Sequence, residues 1–139
     1  MATEKVTKRK RTKRRRKGHY HRGEYTSKKT GQVCKYRSGW EEKYMTYLDS
    51  HDQVTSWLYE SLSIDYVSNK KTGKIRRYIP DFRIEYLDGR TELVEIKPLR
   101  KVNKPTVQKK LLAAQAWCND HGISLKIITE IELKNLGLL

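Results

Sequence analysis

Cysteine, acidic residues and long apolar runs are all scarce in this chain of 139 residues. Its two cysteines, Cys34 and Cys118, are too few for a disulfide scaffold or a four-cysteine zinc site, so we expect a reducing compartment. Since no apolar run approaches the length of a spanning helix or a signal segment, we expect a soluble protein without a usual leader. The length itself predicts one ordinary domain.

Basic residues dominate the charge, because 31 Lys and Arg face 16 Asp and Glu and give a formal net charge of +15. Such a balance indicates a polyanionic partner, with nucleic acid first. Residues 1–17 alone hold ten basic residues and one acidic residue. This stretch has too little apolar surface to fold, so we expect a disordered basic arm at residues 1–19 and a folded domain at residues 20–139. A solubilising or host-targeting tail is the alternative interpretation of the arm.

Two similar stretches predict basic hairpins. Each holds a Lys-Lys-Thr-Gly turn, at residues 28–31 and 70–73, between short strand-like runs. Exposed cations beside such turns suit contacts with the phosphate backbone of DNA. The candidate DNA-binding residues lie in the arm, in the second hairpin and on a later helix: Arg14, Arg15, Arg16, Lys70, Lys71, Arg76, Arg77 and Lys109.

Helical periodicity appears in two long segments. Residues 38–50 carry apolar side chains at helical spacing, and Ser38 followed by Glu41 predicts a capping box at the start of this helix. A second helix is expected to begin at Pro105 and to end before Gly122.

Alternating or continuous apolar residues predict the strands, at residues 58–66, 78–86, 93–97 and 123–128. The last of these is expected to be buried, and Thr129 with Glu132 is expected to open a short final helix. The predicted fold is therefore α/β, with helices that cover one central mixed sheet.

Three charged residues in the strands stand out by their context. Glu95 and Lys97 are two positions apart on a strand, which puts both side chains on one face. Asp81 follows Pro80 at the entrance of another strand. Whether Asp81 joins the other two depends on how these strands pair.

The turn near Asp88 and Gly89 decides this pairing. A two-residue turn would set Asp81 opposite Ile96 and turn its carboxylate to the wrong face. A three-residue loop or a bulge would pair Asp81 with Glu95 or Lys97 and would also keep the apolar residues of both strands together. We therefore expect the second register.

These residue types suit phosphodiester hydrolysis. Converging carboxylates bind Mg²⁺, which polarises the phosphate and acidifies a water molecule. Asp81 and Glu95 are the candidate metal ligands, and Lys97 is the candidate group that orients the water or neutralises the transition state. Glu41 falls on the sheet-facing arc of its helix and is a candidate third carboxylate, although its capping role is sufficient to explain it. Glu60 is a candidate for binding the metal ion or for orienting one of its ligands, and exposure at a strand end explains it equally well.

Pro80-Asp81 and Glu95-Ile96-Lys97, preceded by a helix that carries Glu41, resemble the PD-(D/E)xK nuclease superfamily. The stretches at residues 36–41, 78–82 and 94–98 further resemble the head-completion nucleases of tailed phages and the endonuclease subunits of cut-and-paste transposons. The resemblance implies a restriction-endonuclease-like αβββαβ core. It also implies a catalytic set of Glu41, Asp81, Glu95 and Lys97, in which the three carboxylates hold Mg²⁺, with Mn²⁺ as a substitute.

The function implied by this resemblance is an endonuclease that cuts double-stranded DNA in phage head completion after packaging. Portal or neck proteins are the implied protein partners, in the host cytoplasm during assembly or at the virion head or neck. Neither a membrane nor a small-molecule cofactor is expected. The alternative is a virion structural protein that holds a DNA end or plugs a portal without cutting. An RNA-binding protein is disfavoured, because the aromatic residues lie at core positions and do not form an exposed stacking platform.

Overall fold

The computed structural model describes residues 21–139, so the predicted basic arm with Arg14, Arg15 and Arg16 lies outside the described residues. Cys34 and Cys118 are both buried and free. Between residues 21 and 139, no helix has the length and the apolar character that crossing a membrane requires.

Eight strands and four helices form the described part of the chain. The strands are β1 (Gly23–Thr26), β2 (Val33–Tyr36), β3 (Val54–Tyr59), β4 (Ile64–Asn69), β5 (Lys74–Tyr78), β6 (Phe82–Tyr86), β7 (Thr91–Ile96) and β8 (Ser124–Ile128). The helices are α1 (Gly39–Ser50), α2 (Leu99–Val102), α3 (Pro105–His121) and α4 (Glu130–Asn135).

Strands β3, β6, β7 and β8 form the central sheet in that order. β6 pairs antiparallel with both β3 and β7, and β8 runs parallel to β7, so the sheet is mixed as predicted. The core order α1-β3-β6-β7-α3-β8 is the expected αβββαβ arrangement. The two predicted hairpins also form, as the separate pairs β1-β2 and β4-β5.

Each face of the central sheet has its own apolar cluster. Trp57 and Phe82 pack with Met45 of α1, in a cluster that also includes residues of the first hairpin. On the opposite face, Leu93 packs with Ala114 of α3, in a cluster that also includes residues of the second hairpin. The alternation of side chains along β7 separates the two clusters. The second hairpin and α3 therefore share one side of the sheet.

Two predicted strands are each broken in the structure. The expected strand over residues 58–66 is wrong, because the chain turns at Glu60, whose φ of 50° lies in the left-handed region. As a result Leu58 is 43% exposed, and its neighbours Trp57 and Tyr59 take the buried positions instead. The expected strand over residues 78–86 is likewise interrupted, because β5 ends before Pro80 and β6 begins after it.

The predicted buried strand at residues 123–128 is a half-exposed edge strand. β8 is the last strand in the sheet order, and Ser124 and Lys126 on it are exposed. Only Ile128 is fully buried on this strand. Ser124 and Lys126 interrupt the apolar residues of this stretch, which explains why the strand is not buried along its whole length.

Helix ends follow the predicted signals with one difference. Gly122 ends α3 with a φ of 66°, and Thr129 with Glu132 forms a complete capping box on α4. At α1 the Ser38 side chain accepts the N–H of Glu41, as predicted. The Glu41 carboxylate, however, accepts the N–H of Arg37 at 2.7 Å, one residue earlier than a capping box requires.

Candidate active site

The pairing of β6 with β7 brings the first two acidic residues together. Phe82 lies opposite Val94 in this antiparallel pair, so the preceding Asp81 lies opposite Glu95. Asp81 Oδ2 also accepts the N–H of Ile96 at 2.8 Å. The register expected from the apolar pattern is therefore confirmed.

The connection between β6 and β7 explains this register. The N–H of Tyr86 donates to the carbonyl of Arg90, which leaves a three-residue loop at 87–89. Gly89 has a φ of 89°, as in the common hairpin loop in which a turn is followed by one left-handed residue. The loop thus has one residue more than the two-residue turn that would have reversed the face of Asp81.

The Glu95 carboxylate has a partner on each oxygen. Tyr78 at the end of β5 donates its hydroxyl to Oε1 at 2.7 Å. Lys97 places its Nζ 3.5 Å from Oε2, and about a quarter of the Lys97 side chain is exposed. The ammonium group therefore reaches the carboxylate pair from the solvent side, as a group that meets substrate would.

Glu41 is buried, with 8% of its surface exposed, as its helical position predicted. Its Oε1 accepts two hydrogen bonds, from the N–H of Arg37 at 2.7 Å and from the hydroxyl of Tyr59 at 2.9 Å. Its negative charge still acts on Asp81 and raises the pKa of that residue. Glu41 therefore lies near the carboxylate pair, but other groups occupy this oxygen.

Glu60 lies between β3 and β4, and it is half-buried. The guanidinium group of Arg37 lies 3.3 Å from the Glu60 carboxylate. The backbone N–H of Glu60 donates to the carbonyl of Asp81. Burial raises the pKa of Glu60, with an additional contribution from Glu41 and an opposing one from Arg37. The structure thus positions Glu60 beside the backbone of Asp81, which is compatible with the orienting role expected for it.

Burial of negative charge sets the electrostatics of the site. Burial raises the pKa of Asp81 well above its ordinary value, and the charges of Glu95 and Glu41 raise it further. Burial also raises the pKa of Glu95, and the hydrogen bond from Tyr78 and the charge of Lys97 oppose this shift. The site concentrates acidic groups that a cation would stabilise in their ionised form.

The donor chemistry of Asp81 and Glu95 fits a hard divalent cation, because carboxylate oxygens are the ligands that Mg²⁺ prefers. Among residues 21–139, however, no three His, Cys, Asp or Glu side chains are grouped closely enough to hold a metal ion. The expected set of Glu41, Asp81 and Glu95 is thus not assembled around one point in the described residues. Asp81 and Glu95 remain the pair suited to a metal.

The remaining candidate DNA-binding residues of the described part are all exposed: Lys70, Lys71, Arg76, Arg77 and Lys109. They lie on the second hairpin and on α3, which share one side of the sheet. Arg77 pairs with Asp65 across the hairpin, and Arg76 pairs with Tyr66. Arg76 and Arg77 therefore point to opposite faces of the hairpin.

Two residues of the site were missed by the sequence analysis. Tyr59 and Tyr78 were expected only as strand residues, yet each donates its hydroxyl to an acidic residue of the candidate site. Their side chains come from β3 and β5, and neither contact is local in sequence. The available signal was that Tyr78 stands three residues before Asp81, which did not identify its partner.

Comparisons with known proteins give two matches. Residues 51–130 match a protein family described as TnsA-like endonuclease N terminal. The chain is also 31% identical to the head completion nuclease of Enterobacteria phage T4, over 73% of this chain and 82% of that protein. Asp81, Glu95 and Lys97 lie within the family match, and Glu41 precedes it.

Proposed function

Since the chain belongs to the family of TnsA-like endonuclease N-terminal domains, we propose that it is a metal-dependent endonuclease that hydrolyses phosphodiester bonds of double-stranded DNA. The observation that carries this proposal is the meeting of Asp81, Glu95 and Lys97 at one end of β6 and β7. Two acidic groups beside an ammonium group supply both metal ligation and charge neutralisation at a reacting phosphate.

Each residue has a defined role in this proposal. Asp81 and Glu95 hold the metal ion, and their buried setting orients both carboxylates. A bound Mg²⁺, or Mn²⁺ in its place, supplies Lewis acidity to the phosphate and lowers the pKa of a water molecule. Lys97 orients the attacking water or neutralises charge that develops on the phosphate. Glu41 contributes negative charge beside Asp81 and acts through that residue, as a positioning residue.

A role in phage head completion is supported by the similarity to the nuclease of phage T4, which bears that description. On this basis we propose that the protein acts on DNA after packaging, in the host cytoplasm during assembly or at the virion head or neck. Portal or neck proteins are the proposed partners that would recruit it. Exposed cations on the second hairpin and on α3 support DNA as the substrate.

A plasmid-nicking assay tests the enzymatic proposal. Purified protein is incubated with supercoiled plasmid and Mg²⁺, beside Asp81→Asn, Lys97→Met and the control Glu85→Gln. Glu85 is an exposed carboxylate on the same strand, β6, so its variant removes a charge at a position outside the site. We expect nicking by the wild type and the control, and its loss in the two site variants.

The same experiment separates the enzyme from a structural protein that binds a DNA end without cutting. If the wild type and all variants bind DNA but none cuts it, the endonuclease proposal is wrong. Nicking that persists at the wild-type rate in Asp81→Asn would contradict the assignment of the site, because it would trace the activity to a contaminant or to other residues.

A further inference from the structure

A basic groove runs between the second hairpin and α3. It encloses about 460 Å³, and four of its eight lining residues are cationic and none is acidic. The cations come from both walls: Lys74 and Arg76 from β5, and Lys109 and Lys110 from α3. Opposed cationic walls create a concentrated positive potential, which attracts a linear polyanion more strongly than scattered surface lysines do.

The walls of the groove are held together. Lys109 Nζ donates to the carbonyl of Ser68 on β4 at 2.8 Å, which links α3 to the hairpin. Beneath this contact, Ile64 and Tyr78 of the hairpin pack with Ala114 of α3. The spacing of the two cationic walls is thus set by the fold.

The groove leads toward the candidate active site. Side chains alternate along a strand, so Lys74, Arg76 and Tyr78 lie on the same face of β5. Tyr78 contacts Glu95. Each strand residue advances about 3.3 Å, so Arg76 lies about 7 Å and Lys74 about 13 Å before Tyr78 along β5.

From these observations we propose that the groove binds the DNA phosphate backbone next to the phosphate that meets the Asp81-Glu95 pair. This inference rests on the proposed function and extends it to a specific path for the substrate. Lys74 and Lys110 become DNA-binding residues, in addition to Arg76 and Lys109. Arg77, which pairs with Asp65 on the other face of the hairpin, does not belong to the groove.

The salt dependence of DNA binding tests the groove. The triple variant Lys74→Gln, Arg76→Gln, Lys110→Gln removes three groove cations and keeps Lys109, which also holds the walls together. The matched control removes three exposed cations on the side of the first hairpin and α1: Lys28→Gln, Lys35→Gln and Lys43→Gln. Affinity of the full chain for duplex DNA is measured with EDTA present at several salt concentrations, and thermal melting verifies folding.

We expect the groove triple to flatten the slope of log affinity against log salt by about 2 to 3 units, since each phosphate contact contributes about 0.9. The control triple should change the slope by less than about one unit. Equal changes in the two triples would overturn the proposal, because only overall charge would then matter. A wild-type slope in the groove triple would also overturn it and would leave the groove to an acidic protein partner.

This binding test is independent of cleavage. A protein that binds through the groove but fails to nick plasmid would refute the endonuclease proposal and keep the groove. Conversely, a protein that nicks plasmid but shows no effect of the groove triple would refute the groove alone.

Discussion

Tyr78 donates a 2.7 Å hydrogen bond to Glu95 and thereby joins the second hairpin to the carboxylate pair. Both residues are buried, and Lys97 approaches the other oxygen of the same carboxylate. The Glu95 side chain is therefore oriented from two sides before any substrate arrives. A group held in this way loses little freedom when it acts, which is the main benefit of preorganisation.

Replacing Tyr78 with phenylalanine should slow cleavage by about 10- to 100-fold, because a hydrogen bond to a charged group contributes about 1.5–3 kcal/mol. The hydrogen bond also opposes the rise in the pKa of Glu95. Loss of the hydrogen bond should therefore raise the pKa of Glu95 further. Since the ionised Glu95 carboxylate is needed for metal binding, the acid limb of the pH–rate profile should move to higher pH. The profile of DNA nicking from pH 5 to pH 9 measures both effects.

A matched tyrosine provides the control for this variant. Tyr86 donates its hydroxyl to Glu92 at the same distance of 2.7 Å, at the far end of β6 from Asp81. Tyr86→Phe should leave the acid limb in place. An equal shift in Tyr86→Phe and Tyr78→Phe would show that the effect comes from general destabilisation and would contradict the positioning role of Tyr78.

The adjacent pair Glu41 and Glu42 separates a site residue from a surface neighbour. Glu41 is buried and its charge acts on Asp81, whereas Glu42 is half-buried and accepts a hydrogen bond from Tyr36. We expect Glu41→Gln to lower the nicking rate by about 10- to 100-fold, as changes around metal ligands commonly do. Glu42→Gln should nick at close to the wild-type rate. Comparable losses in both variants would show a general destabilisation of α1 and would contradict a role of Glu41 in the site.

Metal binding should be visible in thermal stability without any cleavage. Burial and the charges of Glu95 and Glu41 raise the pKa of Asp81, and a cation held by Asp81 and Glu95 would offset that crowding of negative charge. At a concentration of about 100 times the dissociation constant, Mg²⁺ would stabilise the folded state by about 2.7 kcal/mol. Melting in Mg²⁺ and in EDTA should therefore differ for the wild type and for Glu85→Gln. The same difference in Asp81→Asn would exclude this residue as a ligand.

The strand register was predictable because one residue of slippage would have reversed an entire face. Phe82 needed an apolar neighbour, which Val94 supplies when Asp81 lies opposite Glu95 and Ile96 supplies when it lies opposite Lys97, and the structure has the first pairing. The ends of α3 were predictable for a similar reason, since proline suits the first turn and glycine suits the left-handed residue after the last. In both cases the decisive information is local in sequence.

The second hairpin was predicted, but its separation from the strands of the central sheet was not. Alternation over residues 58–66 is the same for one long strand as for two short strands, and the turn at Glu60 carries neither glycine nor asparagine. The contacts of Tyr59 and Tyr78 depend on that turn, because it directs the two aromatic side chains to different faces of the sheet. Tertiary packing determines such contacts, and periodicity does not reveal them.

The loop between β6 and β7 allows a test of the backbone conformation that fixes the register. Gly89 has a φ of 89°, where any side chain is strained, although no atom lies near its added Cβ. Gly89→Ala should therefore lower the free energy of unfolding by about 1–2 kcal/mol. Gly39→Ala is the control, because Gly39 begins α1 with equally open space, and alanine favours a helix by up to about 1 kcal/mol. Chemical denaturation of both variants should give shifts of opposite sign.

Asp49 at the end of α1 connects the first hairpin to the central sheet. Its carboxylate accepts hydrogen bonds from the hydroxyl groups of Tyr25 and Ser27, from the N–H of Lys28 and from the indole of Trp57. Burial tends to raise the pKa of Asp49, but these donors outweigh it and lower the pKa to about 2. Because the folded pKa lies below the unfolded value near 4, the stabilisation is complete above about pH 4 and is lost as pH falls through about 2.

Asp49→Asn should therefore lower the free energy of unfolding at pH 7 by about 1–3 kcal/mol, since it weakens several charge-assisted hydrogen bonds. It should also flatten the pH dependence of stability between about pH 4 and pH 2. The exposed neighbour Asp52 provides the control, and Asp52→Asn should retain the wild-type pH dependence. Urea denaturation at a series of pH values measures all three proteins. If Asp49→Asn kept the wild-type pH dependence, the pKa of Asp49 would be the same in the folded protein as in the unfolded chain. That result would contradict the lowered pKa that its four hydrogen-bond donors produce.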